Sequence, residues 1–145
     1  MLASASALAL TSNDQQSIKI TAVQQAVDMT TNTVTLTGKV VVKRGALDIR
    51  ADKVVITRPD NMNVVIEGYG SSVTFYQLQD DGQLSGHAQN VCYDTAHDRV
   101  IFTGNAYLEQ LENNVKCDQM IYLVKRQQLE AFSDKGKLVT TVIVP

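Results

Sequence analysis

The chain has 145 residues, long enough for one domain with a core of its own. Hydrophobic residues make up 44% and charged ones 19%, and the formal net charge is −2, so no global positive field calls for nucleic acid. With 8 Gly, 2 Pro and no charge run, the composition also excludes a long disordered tail.

After Met1, the residues up to Leu10 are all Ala, Leu or Ser, with small-x-small triplets at Ala3-Ser4-Ala5, Ala5-Ser6-Ala7 and Ala7-Leu8-Ala9. That is the pattern of the end of a secretory signal without its basic start. Residues 1–10 are therefore expected to be a signal remnant and 11–145 the folded domain. A bilayer span takes about 20 apolar residues, and no stretch comes close, so a soluble mature protein is expected.

From Ser17 onward, strand signals dominate. Ser17 to Val23 opens the first strand. Thr33 to Thr37 alternates Thr with Val and Leu, Gly38 interrupts, and Lys39 to Lys43 resumes with three valines. Leu47-Asp48-Ile49-Arg50-Ala51 alternates strictly, and Val54 to Thr57 follows. Val64-Val65-Ile66 leads through Gly68-Tyr69-Gly70 to Val73-Thr74-Phe75-Tyr76. Gln127 to Phe132 suits a helical turn and extended chain equally. Leu138 to Val144 closes the chain with high β propensity and no charge, an edge that must be covered or must pair with another chain. Turn residues stand between the runs, at Pro59-Asp60-Asn61 and Asp80-Asp81-Gly82 among others. Short strands at such spacing indicate a sandwich, barrel or roll.

The sequence repeats itself without a gap. Shifted by 66 positions, Ala22, Val34, Thr37, Gly38 and Asp52 fall on Ala88, Val100, Thr103, Gly104 and Asp118. Units of this kind cannot bury an apolar face alone and must stack. A Gly inside each long strand suggests a bulge or bend, which a curved sheet needs.

Alternation fixes the expected faces. Inward-facing are Ile18, Ile20, Val34, Leu36, Val40, Val42, Leu47, Ile49 and Ala51. The set continues with Val73, Phe75, Val91, Tyr93, Val100, Phe102, Ala106 and Leu108. Lys19, Thr35, Lys39, Asp48, Arg50, Cys92 and Asp94 face outward. A packed interior and a lumen for acyl chains both fit, and packing is the commoner outcome of an apolar face. With no Trp and only 8 Phe and Tyr, the interior is expected to be a smooth aliphatic trough. Each buried CH₂ of a bound chain would contribute about 0.8 kcal/mol there.

Other chemistry is scarce. Cys92 and Cys117 fall on strands separated by a third, too far apart for a disulfide, so two free thiols are expected. No phosphate-binding glycine loop, nucleophile elbow or metal-binding histidine pattern occurs, and neither metal nor cofactor is expected. Asp94, His97 and Asp98 read as a solvated hairpin turn, and Asp80-Asp81-Gly82 lacks the later ligands of a calcium loop. Asp52 and Asp118 recur in the repeat and suggest structural hydrogen bonds. Lys39, Lys43, Arg44, Arg50 and Lys53 could meet lipid phosphates, but scattered surface charge is the safer reading.

Several stretches resemble the OstA-like family of periplasmic lipopolysaccharide-transport bridge proteins. They are Val40 to Pro59, with Ala51 to Pro59 within it; Gly68-Tyr69-Gly70 with Thr74-Phe75-Tyr76-Gln77; Gly86-His87-Ala88; Thr103 to Leu108; and Ala131 to Lys137 with Val139-Thr140-Thr141-Val142. The resemblance runs from about Gln16 to Pro145. It implies an all-β, single-domain antiparallel β-jellyroll of about sixteen short strands, partly open, with no enzymatic activity. It also implies a lipopolysaccharide-binding interior that takes lipid A, at Ile18, Leu36, Phe75, Tyr93 and Phe102. Ile20, Val40, Ile49 and Leu108 of the inward set complete that candidate site. Head-to-tail joining through the two end strands is implied as well, at Ile18, Ile20, Val139, Thr141 and Ile143. The implied partners are LptC at the inner membrane, further copies of the chain, and the N-terminal domain of LptD at the outer membrane. Two other readings remain: a purely structural adaptor without a lumen, and an enzyme on envelope glycans, for which no carboxylate pair is evident.

Overall fold

Long runs of alternating apolar and polar residues are satisfied by strands whose apolar faces meet, and strands are what form. The computed structural model describes residues 17–59, 63–79 and 82–145. Residues 1–10, the expected signal remnant, lie outside them, as do Asp60-Asn61 and Asp80-Asp81 of two expected turns. The strands are β1 (Lys19–Thr21), β2 (Gln24–Asp28), β3 (Thr33–Arg44), β4 (Leu47–Thr57), β5 (Val65–Gln79), β6 (Gly82–Asp94), β7 (Arg99–Gln110), β8 (Asn113–Leu123), β9 (Gln128–Phe132) and β10 (Thr140–Val142). The stretch Gln127 to Phe132, open between helix and strand, is thus strand from Gln128. The end strands are shorter than expected, so Ile18, Val139 and Ile143 flank β1 and β10 without belonging to them. No helix among the described residues is long and apolar enough to cross a membrane.

The strands make one antiparallel sheet in the order β1-β3-β4-β5-β6-β7-β8-β10, with β2 also on β3 and β9 also on β8. Its two ends do not meet, so the roll is open. Every ladder between the long strands slips at one place. The slip falls between Thr37 and Val40 in β3, Arg50 and Lys53 in β4, Tyr69 and Val73 in β5, His87 and Asn90 in β6, and Thr103 and Ala106 in β7. The extra residues line up as a seam across the sheet. Bulges bend and twist strands, and here the seam folds the sheet into two half-sheets with their apolar faces together. Counted on either side of the seam, the six long strands and four short ones reproduce the expected sixteen.

The internal repeat is visible in the backbone. Left-handed residues recur at the 66-residue shift: Asn32 and Asp98 at φ 57° and 48°, Gly38 and Gly104 at 84° and 86°, Lys39 and Asn105 both at 48°, and Gly45 and Leu111 at 58° and 57°. The Gly-Lys and Gly-Asn pairs sit on the seam itself. A left-handed pair in mid-strand turns the chain sharply, and glycine takes the first place because it alone adopts that φ without cost.

The core lies between the half-sheets. Every residue expected inward is buried or half-buried. Val54, Ile66, Leu84, Ala88, Cys117, Met120, Tyr122 and Val124 join it. The expected aliphatic trough is corrected at its centre. Phe75 meets Phe102 edge-on at 5.2 Å and Tyr122 at 5.8 Å. The aromatics are few, but the fold brings these three together between the half-sheets. Each such pair contributes roughly 0.5–1.5 kcal/mol beyond area burial.

Candidate functional site

Among the described residues no group of His, Cys, Asp or Glu could hold a metal ion, and the distinctive property of the interior is its shape. Where the half-sheets diverge at the two ends of the sheet, each end opens into a cleft. The N-terminal cleft, about 480 Å³, lies between Ile18 and Ile20 on one side and Ile56, Val64 and Ile66 on the other. The C-terminal cleft, about 340 Å³, lies between Leu84, Leu108 and Val115 and the facing Tyr122 and Leu129.

The expected lipid-binding residues therefore occur at two depths. Ile18 and Ile20 line the N-terminal cleft and Leu108 the C-terminal one. Leu36, Val40, Ile49, Phe75, Tyr93 and Phe102 are in the packed core, none more than 3% exposed. Of the expected joining residues, Ile20 and Thr141 belong to edge strands, and Thr141 also lines the C-terminal cleft. Val139 and Ile143 are exposed beside β10.

Polar groups cross between the half-sheets at the inner end of each cleft. Arg44 Nη1 donates to the Tyr93 hydroxyl at 2.9 Å, and Tyr93 donates in turn to Asp98 Oδ1 at 3.2 Å. Burial pushes the Tyr93 hydroxyl upward against the opposing pull of Arg44, so it stays a neutral donor. At the other end the Tyr122 hydroxyl donates to Gln77 Oε1 at 2.7 Å, and Gln77 is itself buried. Arg44 thus faces the interior, where the sequence had suggested scattered surface charge. The strand phase carried that signal: Val40, Val42 and Arg44 share one face.

Other expectations fall outside the site. Cys92 and Cys117 are free, on β6 and β8 with β7 between them. Asp118 accepts from the Asp134 backbone N–H at 2.8 Å, a structural hydrogen bond. Asp94 takes His97 Nδ1 at 2.8 Å and Arg99 Nη2 at 3.0 Å.

Sequence reasoning missed Ile56, Ile66, Arg58, Tyr122 and Leu129. The signal for Ile56 and Ile66 was the change of phase at the seam. Asp52 and Lys53 are both outward, which brings Val54 inward and carries the pattern on to Ile56.

Comparison with known proteins accords with this geometry. Residues 19–128 match the family described as LptA/(LptD N-terminal domain) LPS transport protein. The chain is 51% identical over 148 aligned residues to the lipopolysaccharide export system protein LptA of Escherichia coli strain K12, covering 100% of this chain and 80% of that protein. It is 40% identical over 149 aligned residues to the protein of the same name in Haemophilus influenzae, covering 100% of this chain and 87% of that protein. LptH of Pseudomonas aeruginosa, the LptA-homologous periplasmic component of a lipopolysaccharide transport device, superposes with a TM-score of 0.83 at 21% identity, over 92% of this chain and 99% of that one. That last likeness bears on fold alone. The chain belongs to the LptA/(LptD N-terminal domain) family of lipopolysaccharide transport proteins.

Proposed function

We propose that this chain carries lipopolysaccharide through the periplasm as a bridge between inner- and outer-membrane export complexes, by binding and without catalysis. The observation that carries this reading is an open roll with an apolar interior and, at each end, a cleft whose lining sets apolar side chains beside polar ones. Acyl chains enter at Ile18, Ile20 and Leu108. They reach Leu36, Val40, Ile49, Phe75, Tyr93 and Phe102 only as the half-sheets part, because those residues have no surface to offer while the sheets are closed. Burial of hydrocarbon supplies about 0.8 kcal/mol per CH₂ toward a partial opening.

Assembly follows from the ends. Among the described residues β1 pairs with β3 and β10 with β8, each on one side. The outer side of each strand can take a further strand, and a second copy joined head to tail would continue the sheet. The same edges would meet LptC at the inner membrane and the N-terminal domain of LptD at the outer membrane.

The rival reading, a structural adaptor, is favoured by one observation: Phe75, Phe102 and Tyr122 fill the centre. Titration of the full chain with lipopolysaccharide separates the two. The carrier reading expects saturable binding; intact end-to-end assembly without it would establish the adaptor.

A further inference from the structure

The two clefts are one site written twice. Shifted by 66 positions, Ile18 falls on Leu84, Arg44 on Gln110, Ile56 on Tyr122 and Asn63 on Leu129, and all eight line their respective clefts. The apolar walls are alike, but the charges are not. The N-terminal cleft carries Arg44 and Arg58, and the Asp98 carboxylate, joined to Arg44 through the Tyr93 hydroxyl, is not among the described residues lining it. The repeat-equivalent positions are Gln110 and Val124, and the described charge lining the C-terminal cleft is the Glu109 carboxylate.

A guanidinium offers a planar fork of donors that matches phosphate oxygens, and an apolar wall beside it strengthens the attraction. Arg44 is held in place by its hydrogen bond to Tyr93, whose ring is fixed in the core. Arg58 is exposed, on the facing half-sheet just beyond β4. An amphiphile with its chains on Ile18, Ile20 and Ile66 would bring its headgroup to these two cations.

We propose that the N-terminal cleft seats the phosphorylated headgroup of an anionic lipid between Arg44 and Arg58, whereas the C-terminal cleft, with Glu109 and no cation among its described lining residues, offers that headgroup no counter-charge. This rests on the lipid-carrying reading and specifies which part of the lipid each end recognises. It also makes the two ends of the roll unequal, because lipid moving from the first cleft to the second gives up its phosphate contacts.

The test titrates the full chain with bis-phosphorylated lipid A, the same lipid stripped of phosphate, and inorganic phosphate. The phosphorylated lipid is expected to bind about tenfold more tightly than the stripped one. Arg58→Gln, at an exposed position, should remove most of that ratio, and Arg44→Gln with Arg58→Gln should bring it to about one. Gln110→Arg, which places the fork in the equivalent cleft, should raise it. Inorganic phosphate should show no saturable binding in the lipid's concentration range. A wild-type ratio near one, or a ratio indifferent to Arg58→Gln, overturns the seat. A ratio unmoved by Gln110→Arg overturns the equivalence on which it stands. Saturation by inorganic phosphate alone overturns a lipid as the occupant. Failure of both lipids to bind overturns the carrier reading as well, and is told apart by that.

Discussion

The ring of Phe75 on β5 meets the ring of Phe102 on β7 edge-on, 5.2 Å between centroids, and joins the two half-sheets at the middle of the roll. Both residues are completely buried. Removing Phe75 leaves a cavity that neighbours from both half-sheets cannot fill together. Phe75→Ala is expected to cost about 3–5 kcal/mol, read as a lowered urea midpoint. Phe75→Asp and Leu36→Glu place an unpaired charge in the core and should prevent folding. A variant that tests lipid binding therefore belongs in a cleft: Ile20→Asp should fold and lose lipid.

The seam makes a second prediction. A Cβ on Gly38, at φ 84°, would lie 2.7 Å from Val23 Cβ; one on Gly104, at φ 86°, would meet the flexible end of Gln89 first and the Gln89 Cβ only at 3.1 Å. Backbone strain is common to both, roughly 1 kcal/mol or more, but Gln89 can move and the Val23 Cβ cannot. Gly38→Ala should therefore lower the thermal midpoint more than Gly104→Ala does. An equal effect would show that strain outweighs the clash.

These two sites also show what the sequence could and could not reveal. The matched glycines, the repeat and the apolar alternation were legible because each is a one-dimensional pattern. The inward faces from Leu36 to Leu108 followed from period two alone. What the sequence withheld was relative position across the fold. Nothing in the linear order says that Tyr122 reaches Gln77, or that Phe75 fills the centre that a Val-rich composition suggested would be aliphatic. Arg44 was read as surface charge because charge outweighed strand phase. Ile56 and Ile66 were missed because the seam resets that phase by an amount that differs from strand to strand.

Acid should loosen the turn between β6 and β7. Burial works to raise the Asp94 carboxyl, but hydrogen bonds from His97 and Arg99 together outweigh it and hold the group below the usual carboxylate range. A carboxyl lowered on folding stabilises fully above its unfolded pKa, and that contribution is lost as pH falls through the lowered value. The contribution of this group should thus be constant above about pH 5 and decline from about pH 4 downward. Asp94→Asn should cost roughly 0.5–1 kcal/mol at neutral pH and flatten part of that decline in acid denaturation curves.

The thiols should be inert in the folded chain. Burial pushes both Cys92 and Cys117 upward, and the carboxylates of Glu67 and Asp94 add to the effect at Cys92. At pH 7 the thiolate fraction is therefore small. Alkylation by iodoacetamide should be at least about tenfold slower in the folded chain than in urea, with Cys117 slower than Cys92. Oxidant should yield no intramolecular disulfide, which intact mass would detect as the loss of two hydrogen atoms.

The claim that hydrocarbon is sheltered between the half-sheets can be tested on neighbouring residues of one strand. Ile20 lines the N-terminal cleft, while Lys19 is exposed on the other face of β1. A photo-crosslinking residue is placed at each position in cells that make lipopolysaccharide. Labelling at Ile20 with little at Lys19 is the predicted result; equal labelling at both, or none at Ile20 in a folded and exported chain, would contradict it.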